Sequence, residues 1–540
     1  MRLSIVFYLV AICICNSFSQ TAKYFPKPPP DTAQKKKIQI IQADSMVYTT
    51  QELGKFRKLL NHVILKHEDA LMFCDSAIID VDANYLTAYG KQVHINKSDT
   101  VQVWGDFLEY FGDQHLGRLT GSCSMRDNAM ILTAPEINYN TQTDIGNYMS
   151  GGRIVNKNTT ITSAIGYYYH TTGIAVFYGD VHLHDEDKNI YADSLRYDLN
   201  KEIAYFITKT KIIDKDSNVI ITDEGYYDTK KKKAFFTKSV ELHKEDAYVK
   251  ANTLDYDDEE KRSVAQGNVI FSDSSQNITL LSNYMYSEEK NSLLYAYKDP
   301  LLIKPSDNGK DTLYLSADTI LTYKIAVQDT TSELDSIRIL KSFYHTKIKQ
   351  GEMSATCDSM YYDERDSIYK LYVKPVLWMD STQISGDSIF LITKDKAISE
   401  VQVFNNAFII NLQDAAIFNQ VKGKFITAFI ENDKIKKVDV DGNAESIYFI
   451  RDDNEAYIGA NKSKSGFITM NFKDDKADRI KLTIAPEAVF TPMKKIQPES
   501  FRLEGFNWQW NLAPKTIDDI IRDKSQYQKY LLNQQRMVTF

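Results

Sequence analysis

The chain has 540 residues, of which 43% are hydrophobic and 25% charged, with a formal net charge of −7. That balance describes a globular chain with room for two or more domains and excludes a disordered one. The negative charge excludes a basic nucleic-acid-binding face and simple electrostatic docking on an anionic membrane.

In chain order, the first element is "MRLSIVFYLVAICICNSFSQ". One positive charge at Arg2 precedes a mostly apolar run from Leu3 to Cys15, too short to span a bilayer. Ser17 and Ser19 follow at the spacing a signal peptidase accepts, so residues 1–19 read as a secretory signal. Ile precedes both Cys13 and Cys15, where a lipobox needs a small residue. Residues 20–37 contain "PKPPPDTAQKKK" and read as an extended linker.

From about Ile38 the chain repeats itself. A Tyr closes the same phrase at 110, 139, 168, 197, 227, 256 and 286, at spacings of 29, 29, 29, 30, 29 and 30. Earlier copies end at Tyr48 and Ile79, and later ones fall near Tyr323, Tyr362 and Leu391. Such a period marks a repeat architecture in which each unit buries its apolar face against its neighbours. Within one copy the small or apolar positions are Ile190, Ala192, Leu195 and Tyr197, at offsets 0, 2, 5, 7. A one-faced strand would give 0, 2, 4, 6 and a helix 0, 3, 4, 7. Period two that slips by one residue predicts a bulge or corner, placed on "DS", "DE", "NT" or "PE". The second half of each unit supplies another strand, as in "AQGNVIFSD" and "FYGDVHLHD". The connectors Asp228 to Lys233 and Asp257 to Arg262 read as hairpin loops. The composition agrees, because the 34 Tyr and 26 Phe suit a pleated, half-buried surface.

The predicted fold is therefore all-β. It is an elongated repeat β-jelly roll or open β-sandwich of ~29–31-residue two-strand units, with a C-terminal helix. The first lobe covers residues 38–323. An insertion from Lys324 to Ser336 breaks the period, and a second β-lobe covers 337–495. Residues 496–540 form a tail. Within it, from Pro514, residues Ile517, Ile520, Ile521, Tyr527, Tyr530 and Leu531 have the spacing of one amphipathic helix.

Three cysteines follow the signal. Cys74 and Cys357 occupy the slot held elsewhere by Ala134, Ala192 and Ala251, and Cys123 follows Gly121. They read as small buried hydrophobes rather than a disulfide framework. His182 and His184 share a strand face, which suggests two metal ligands without a third, or simply a wet face. No nucleophile elbow, zinc signature, phosphate loop or dinucleotide fingerprint is present, so no catalytic residue, metal or cofactor is assigned and the chain reads as a binder rather than an enzyme.

The repeated slot is the one candidate site. Tyr139, Tyr168, Tyr197, Tyr227, Tyr256 and Tyr286 recur in it, facing Val181, Ile212, Val240, Val269 and Phe271 from the partner strands. If two sheets meet fully, this stripe is core. If they stay open along one edge, it is a channel suited to acyl chains, since each buried CH₂ gains about 0.8 kcal/mol.

The phrases "ADSLRYD" and "ANTLDYD…AQGNVIFSD", together with the unit length and the signal, resemble the OstA/LptA-like family of periplasmic lipopolysaccharide-transport proteins. Ala251 to Asp257 and Gly267 to Phe271 match its recurrent phrase most closely, and the resemblance covers about Ile38 to Phe490. "VDVDGNAESIYFI" with "PEAVFTP" looks like the long OstA-like proteins of the Bacteroidetes. The resemblance implies a periplasmic jelly roll, associated with outer-membrane biogenesis, that cradles the lipid A acyl chains of lipopolysaccharide. It implies stacking on other jelly-roll proteins of the pathway through edge strands, and links to inner- and outer-membrane components. The competing readings are a structural or adhesive extracytoplasmic β-repeat protein with a closed interior, and a carbohydrate-active solenoid, which would want paired carboxylates across a sugar site.

Overall fold

A computed structural model describes residues 36–48, 56–97, 100–306, 311–328, 334–394, 397–431, 434–452, 454–473 and 476–538. The expected signal and most of the linker lie outside the described residues. The chain divides into two compact units, residues 1–119 with 140–142, and residues 120–139 with 143–540. Both are built from antiparallel strands, and a single α-helix, Lys524–Val538, is present among the described residues.

The corner is visible as a register shift in the long hairpins Phe56–His67 with Ala70–Asp80, Ile174–His184 with Lys188–Asp198, and Arg262–Asp273 with Ile278–Glu288. Strands Ile174–His184 and Lys188–Asp198 pair in one register from Ile174↔Asp198 to Tyr178↔Ser194, and in another from Val181↔Ala192 onward. Two residues, Gly179 and Asp180, stand opposite Asp193 alone, and both have positive φ, 73° and 49°. The same two-against-one bulge sits at Gly267-Asn268 opposite Asn283, and at Asn405-Asn406 opposite Lys424. Gly and Asn tolerate this left-handed backbone best, which explains the recurrent Gly-Asn and Gly-Asp. The slip read from the 0, 2, 5, 7 spacing is real, and the extra residue lies in the partner strand.

The bend divides each long strand between two layers. In the second unit the halves on one side of the corner pair only with one another, through Lys188–Ala192, Thr210–Asp214 and Val219–Thr222; we call this layer A. The halves on the other side, such as Leu195–Asp198, Ile203–Phe206 and Gly225–Asp228, form layer B. The layers face each other: a Cβ on Gly146 of layer B would lie 2.8 Å from the Met125 sulfur of layer A. The arrangement is jelly-roll-like, corners on one side and hairpin turns on the other. The turns explain the Tyr-Asp pair at Tyr197 and Tyr227. Tyr points inward, and the Asp after it accepts hydrogen bonds from the turn's backbone: Asp198 from Asn200 and Lys201 N–H, Asp228 from Lys230 and Lys231 N–H.

Residues 324–328 and 334–336, expected at a boundary, extend one hairpin of the second unit, with Ile325↔Ile337 and Gln328↔Leu334 paired. The tail also differs from expectation. Ile517–Asp519 is a short 3₁₀ turn closed by a Thr516/Asp519 capping box, and the α-helix starts only at Lys524. Asp523 accepts from the Gln526 N–H at 3.0 Å, so two capping residues restart the backbone inside what reads as one periodic run.

The tail is a strap over the outside of layer A. Ile520 and Ile521 cover Ile270, Leu281, Leu301 and Ile303; Trp510 and Ala513 cover Val376 and Trp378; Leu503 and Ile496 join Phe408, Ile410 and Phe418. Three buried glutamines fasten it. Gln383 donates to Asn507 O and accepts from Gln509 N–H, both at 2.7 Å. Gln420 accepts from Leu503 N–H at 2.8 Å and donates to Phe501 O at 3.1 Å. Gln526 donates to Val269 O and Ser282 O, at the bulge.

In the first unit the same corner sits at Asn61-His62 opposite Asp75, and the inner row Leu65, Met72, Ile95 and Val103 is fully buried. The copy ending at Tyr48 lies on two short strands paired only with Phe56–His67, and Tyr48 is exposed.

Candidate functional site

The inner face of layer A carries an unbroken apolar ladder, one residue per strand. It starts Leu132–Ile154–Ile161–Leu183–Ile190–Ile212–Ile220–Leu242, each paired with the next. It continues Val249–Phe271–Leu280–Leu302–Leu315–Ile348 and ends Ala355–Leu377–Ile384–Ile409–Val421. Val249 and Phe271 are half-buried and the rest are buried. Of the predicted residues, Ile212 and Phe271 lie in this ladder, while Val181, Val240 and Val269 lie one step nearer the corner, paired with Ala192, Ala251 and Ser282.

Layer B supplies the tyrosines. Tyr168, Tyr197, Tyr227 and Tyr256 stand in one cross-strand row and alternate with Ala175, Ala204 and Ala234. Large beside small lets neighbouring rings lie down without collision. Tyr139 is buried as well, its hydroxyl donating to Asp144 at 2.9 Å. Tyr286 does not join them. After Tyr256 the row passes to Ser263 and Ser287, and the inward residue of that strand is Met285. The copy reads Leu280, Ser282, Met285, Ser287 at offsets 0, 2, 5, 7, so the phrase there is one residue longer than a Tyr-to-Tyr count assumes. Tyr286 pairs with Val264 and Tyr295 on the other face.

On the turn side, the mouth between the layers of the second unit is closed by polar side chains, among them Lys232 and Asp258 of the connectors. Tyr168 Oη donates to Asp127 at 2.5 Å, and His170 also meets that carboxylate. Tyr197 Oη donates to Thr159, and Asn156 to Leu199 O. Three ion pairs cross at one sequence separation, 45 residues: Lys157–Glu202, Asp187–Lys232 and Lys244–Glu289. Between them Lys188 meets Asp258 at 2.5 Å, both nearly buried. Burial alone would raise the Asp258 pKa, but hydrogen bonds from Lys188 and Lys261 outweigh it and lower it to about 2. Lys232 and Lys215 likewise hold Asp187 below the usual carboxylate range. Burial pushes the Tyr168, Tyr227 and Tyr256 phenols up, which keeps them neutral. Beneath the seam a small cavity has room for about one water molecule, and its wall passes from Lys188, Lys244 and Tyr256 to Ile212, Ile220 and Leu242.

His182 and His184 both hydrogen-bond the Asn189 side chain, and no group of three metal-ligating side chains occurs among the described residues. Cys74, Cys123 and Cys357 are buried, and burial pushes the Cys74 and Cys357 thiols up to about 12.

Fold and interior thus define a two-layered β-repeat protein with a continuous apolar inside and an ionic rim. Comparison with known families gives two matches. The model described as OstA-like protein matches residues 35–193 and 179–252, and that of the LptA/(LptD N-terminal domain) LPS transport protein matches residues 220–397. Together they run from 35 to 397, which is 363 of 540 residues. The chain belongs to the OstA/LptA-like family of periplasmic lipopolysaccharide-transport proteins. Comparison with curated proteins gives no match. Among solved structures, the chain is similar to LptH, the LptA-homologous periplasmic component of the lipopolysaccharide transport device of Pseudomonas aeruginosa. Identity is 18%, over 20% of this chain and 79% of that one, at a TM-score of 0.18. The family assignment rests on the two family matches.

Proposed function

We propose that the chain is a periplasmic bridge that binds lipopolysaccharide and seats its lipid A acyl chains between layers A and B on the way to the outer membrane. The apolar ladder from Leu132 to Val421 carries this reading. Its 19 residues pass through consecutive strand pairings without a polar interruption. At about 4.8 Å per strand the ladder runs roughly 85 Å along the sheet, far more than one acyl chain needs. A chain of about twelve methylenes gains roughly 10 kcal/mol on leaving water. That offsets the cost of parting two layers only if no buried charge is left unpaired. Jelly-roll partners of the same pathway would add at the edge strands Lys476–Thr483 and Glu487–Pro492, which pair with Tyr457–Lys473.

The packed interior favours a second reading, a structural or adhesive β-repeat protein, because its cavity holds about one water. Native mass spectrometry of the protein purified from a lipopolysaccharide-bearing host separates the two. The carrier reading expects adducts with the mass of lipopolysaccharide or lipid A. Lipid-free protein that takes up no added lipopolysaccharide overturns it.

A further inference from the structure

The rim of the second unit repeats. Lys157–Glu202, Asp187–Lys232 and Lys244–Glu289 each join a layer A turn to a layer B turn across 45 residues. Three pairs at one separation are a built feature rather than a scatter of surface charges. They also lie where an acyl chain would have to enter, since the cavity under Lys188 and Lys244 opens onto the apolar wall at Ile212 and Leu242. The corners cannot serve as the entrance, because the chain itself crosses there.

We propose that this seam is an ion-exchange gate. It parts to admit an amphiphile, and its lysines, Lys188, Lys232 and Lys244, pass from Asp258, Asp187 and Glu289 to the anionic groups of the bound headgroup. The proposal rests on the carrier reading and adds a headgroup class to it: phosphorylated, not neutral. Breaking a largely buried pair such as Lys188–Asp258 with nothing in its place is strongly unfavourable, because an uncompensated charge stays behind. A phosphate delivered with the acyl chains supplies the missing partner. Opening then couples to loading, and an empty carrier stays shut. Layer A is the fixed side. The tail ties it across its outer face through Gln383, Gln420 and Gln526, so the motion falls to layer B about the Gly179-Asp180 and Gly267-Asn268 corners.

The test is a pulsed electron-spin distance between labels at Asn158→Cys and Lys201→Cys, exposed turn positions on opposite sides of the mouth. The full chain is measured alone, with bisphosphorylated hexa-acyl lipid A, and with the same lipid A after removal of its phosphates. The gate predicts a lengthening of roughly 5 Å, half the usual spacing of packed sheets, with the phosphorylated lipid. It also predicts that Asp187→Asn and Glu289→Gln, which leave lysines without competing carboxylates, tighten that lipid about tenfold and the dephosphorylated one much less. Lipid A that binds with the distance unchanged, or equally with and without its phosphates, overturns the gate and leaves the carrier standing. If neither lipid binds, the carrier is overturned, and the gate with it.

Discussion

The Lys188 ammonium lies 2.5 Å from the Asp258 carboxylate, although 70 residues separate them in sequence. The pair ties a turn of layer A to a turn of layer B, and each partner is almost buried. Lys188→Met leaves Asp258 with Lys261 and the Tyr256 hydroxyl and should cost about 3 kcal/mol in urea unfolding. The double variant Lys188→Met/Asp258→Asn should recover more than half of that, because no unpaired charge remains. Equal losses in both variants would show that the site acts by packing and not by charge.

The rim also sets an acid limit. Asp258 has a folded pKa of about 2 against an ordinary 3.8, so its contribution is complete above pH 3.8 and fades as pH falls toward 2. Asp187 and Asp257 are lowered in the same sense by Lys232 and Lys233. Burial lowers the His94 and His115 pKa values, so the urea midpoint should decline gently below pH 6.5 and then drop steeply between about 4 and 2. Asp258→Asn should make that drop shallower. A midpoint whose main fall lies between pH 7 and 5 would assign the limit to histidines instead.

Met285 and Tyr286 are neighbours on opposite faces. Met285→Asp places a carboxylate in the interior, where it has to ionise at high cost or stay neutral, and should lower stability by several kcal/mol. Tyr286→Asp should stay within about 1 kcal/mol. Thermal unfolding of the two variants side by side checks the assignment, and the reverse ranking would restore Tyr286 to the inward row.

Gly152 and Gly166 pack against the Tyr148 ring from layers A and B. A Cβ on Gly166 would sit 2.4 Å from the ring and one on Gly152 2.7 Å. Gly166→Ala should therefore cost 1–3 kcal/mol or more by overpacking, and Tyr148→Leu in the same chain should relieve it. Additive losses would place the strain elsewhere.

Gln526 holds the C-terminal helix to two bulge carbonyls, Val269 O and Ser282 O. Gln526→Ala leaves both without that donor and should cost about 1–3 kcal/mol, read as faster amide exchange across residues 524–538. Removing residues 496–540 goes further and bares Ile270, Leu301, Trp378 and Phe408 on layer A. The truncated chain should bind a hydrophobic dye strongly.

Much of this could be read from the sequence, because a repeat states its rule many times. The inward positions Ile190, Leu195 and Tyr197, the small slot at Cys74 and Cys357, and the hairpin loops at Lys230 and Glu259 all follow from local periodicity. Where the rule shifts by one residue, as at Met285, counting from Tyr to Tyr misleads and the small-residue slot at Ser282 is the better anchor. The rim could not be read that way. Its partners are 38 to 70 residues apart, so they meet only once a strand has turned its corner and the next repeat has stacked. Opposite charges 45 apart also occur at Glu186 and Lys231 and at Lys201 and Asp246, so the spacing alone does not pick out the three pairs that meet. The strap was hidden for another reason: Ile517, Ile520 and Ile521 keep helical spacing, while the Thr516 and Asp523 caps override it.

The central claim is that lipid lies between the layers, and site-specific photo-crosslinking in cells tests it most directly. A benzophenone side chain at Leu302, on the inner ladder, should crosslink lipopolysaccharide, and one at Tyr295, on the outer face of layer B, should not. Crosslinks from Tyr295 with none from Leu302 would place the lipid outside the protein and contradict the account.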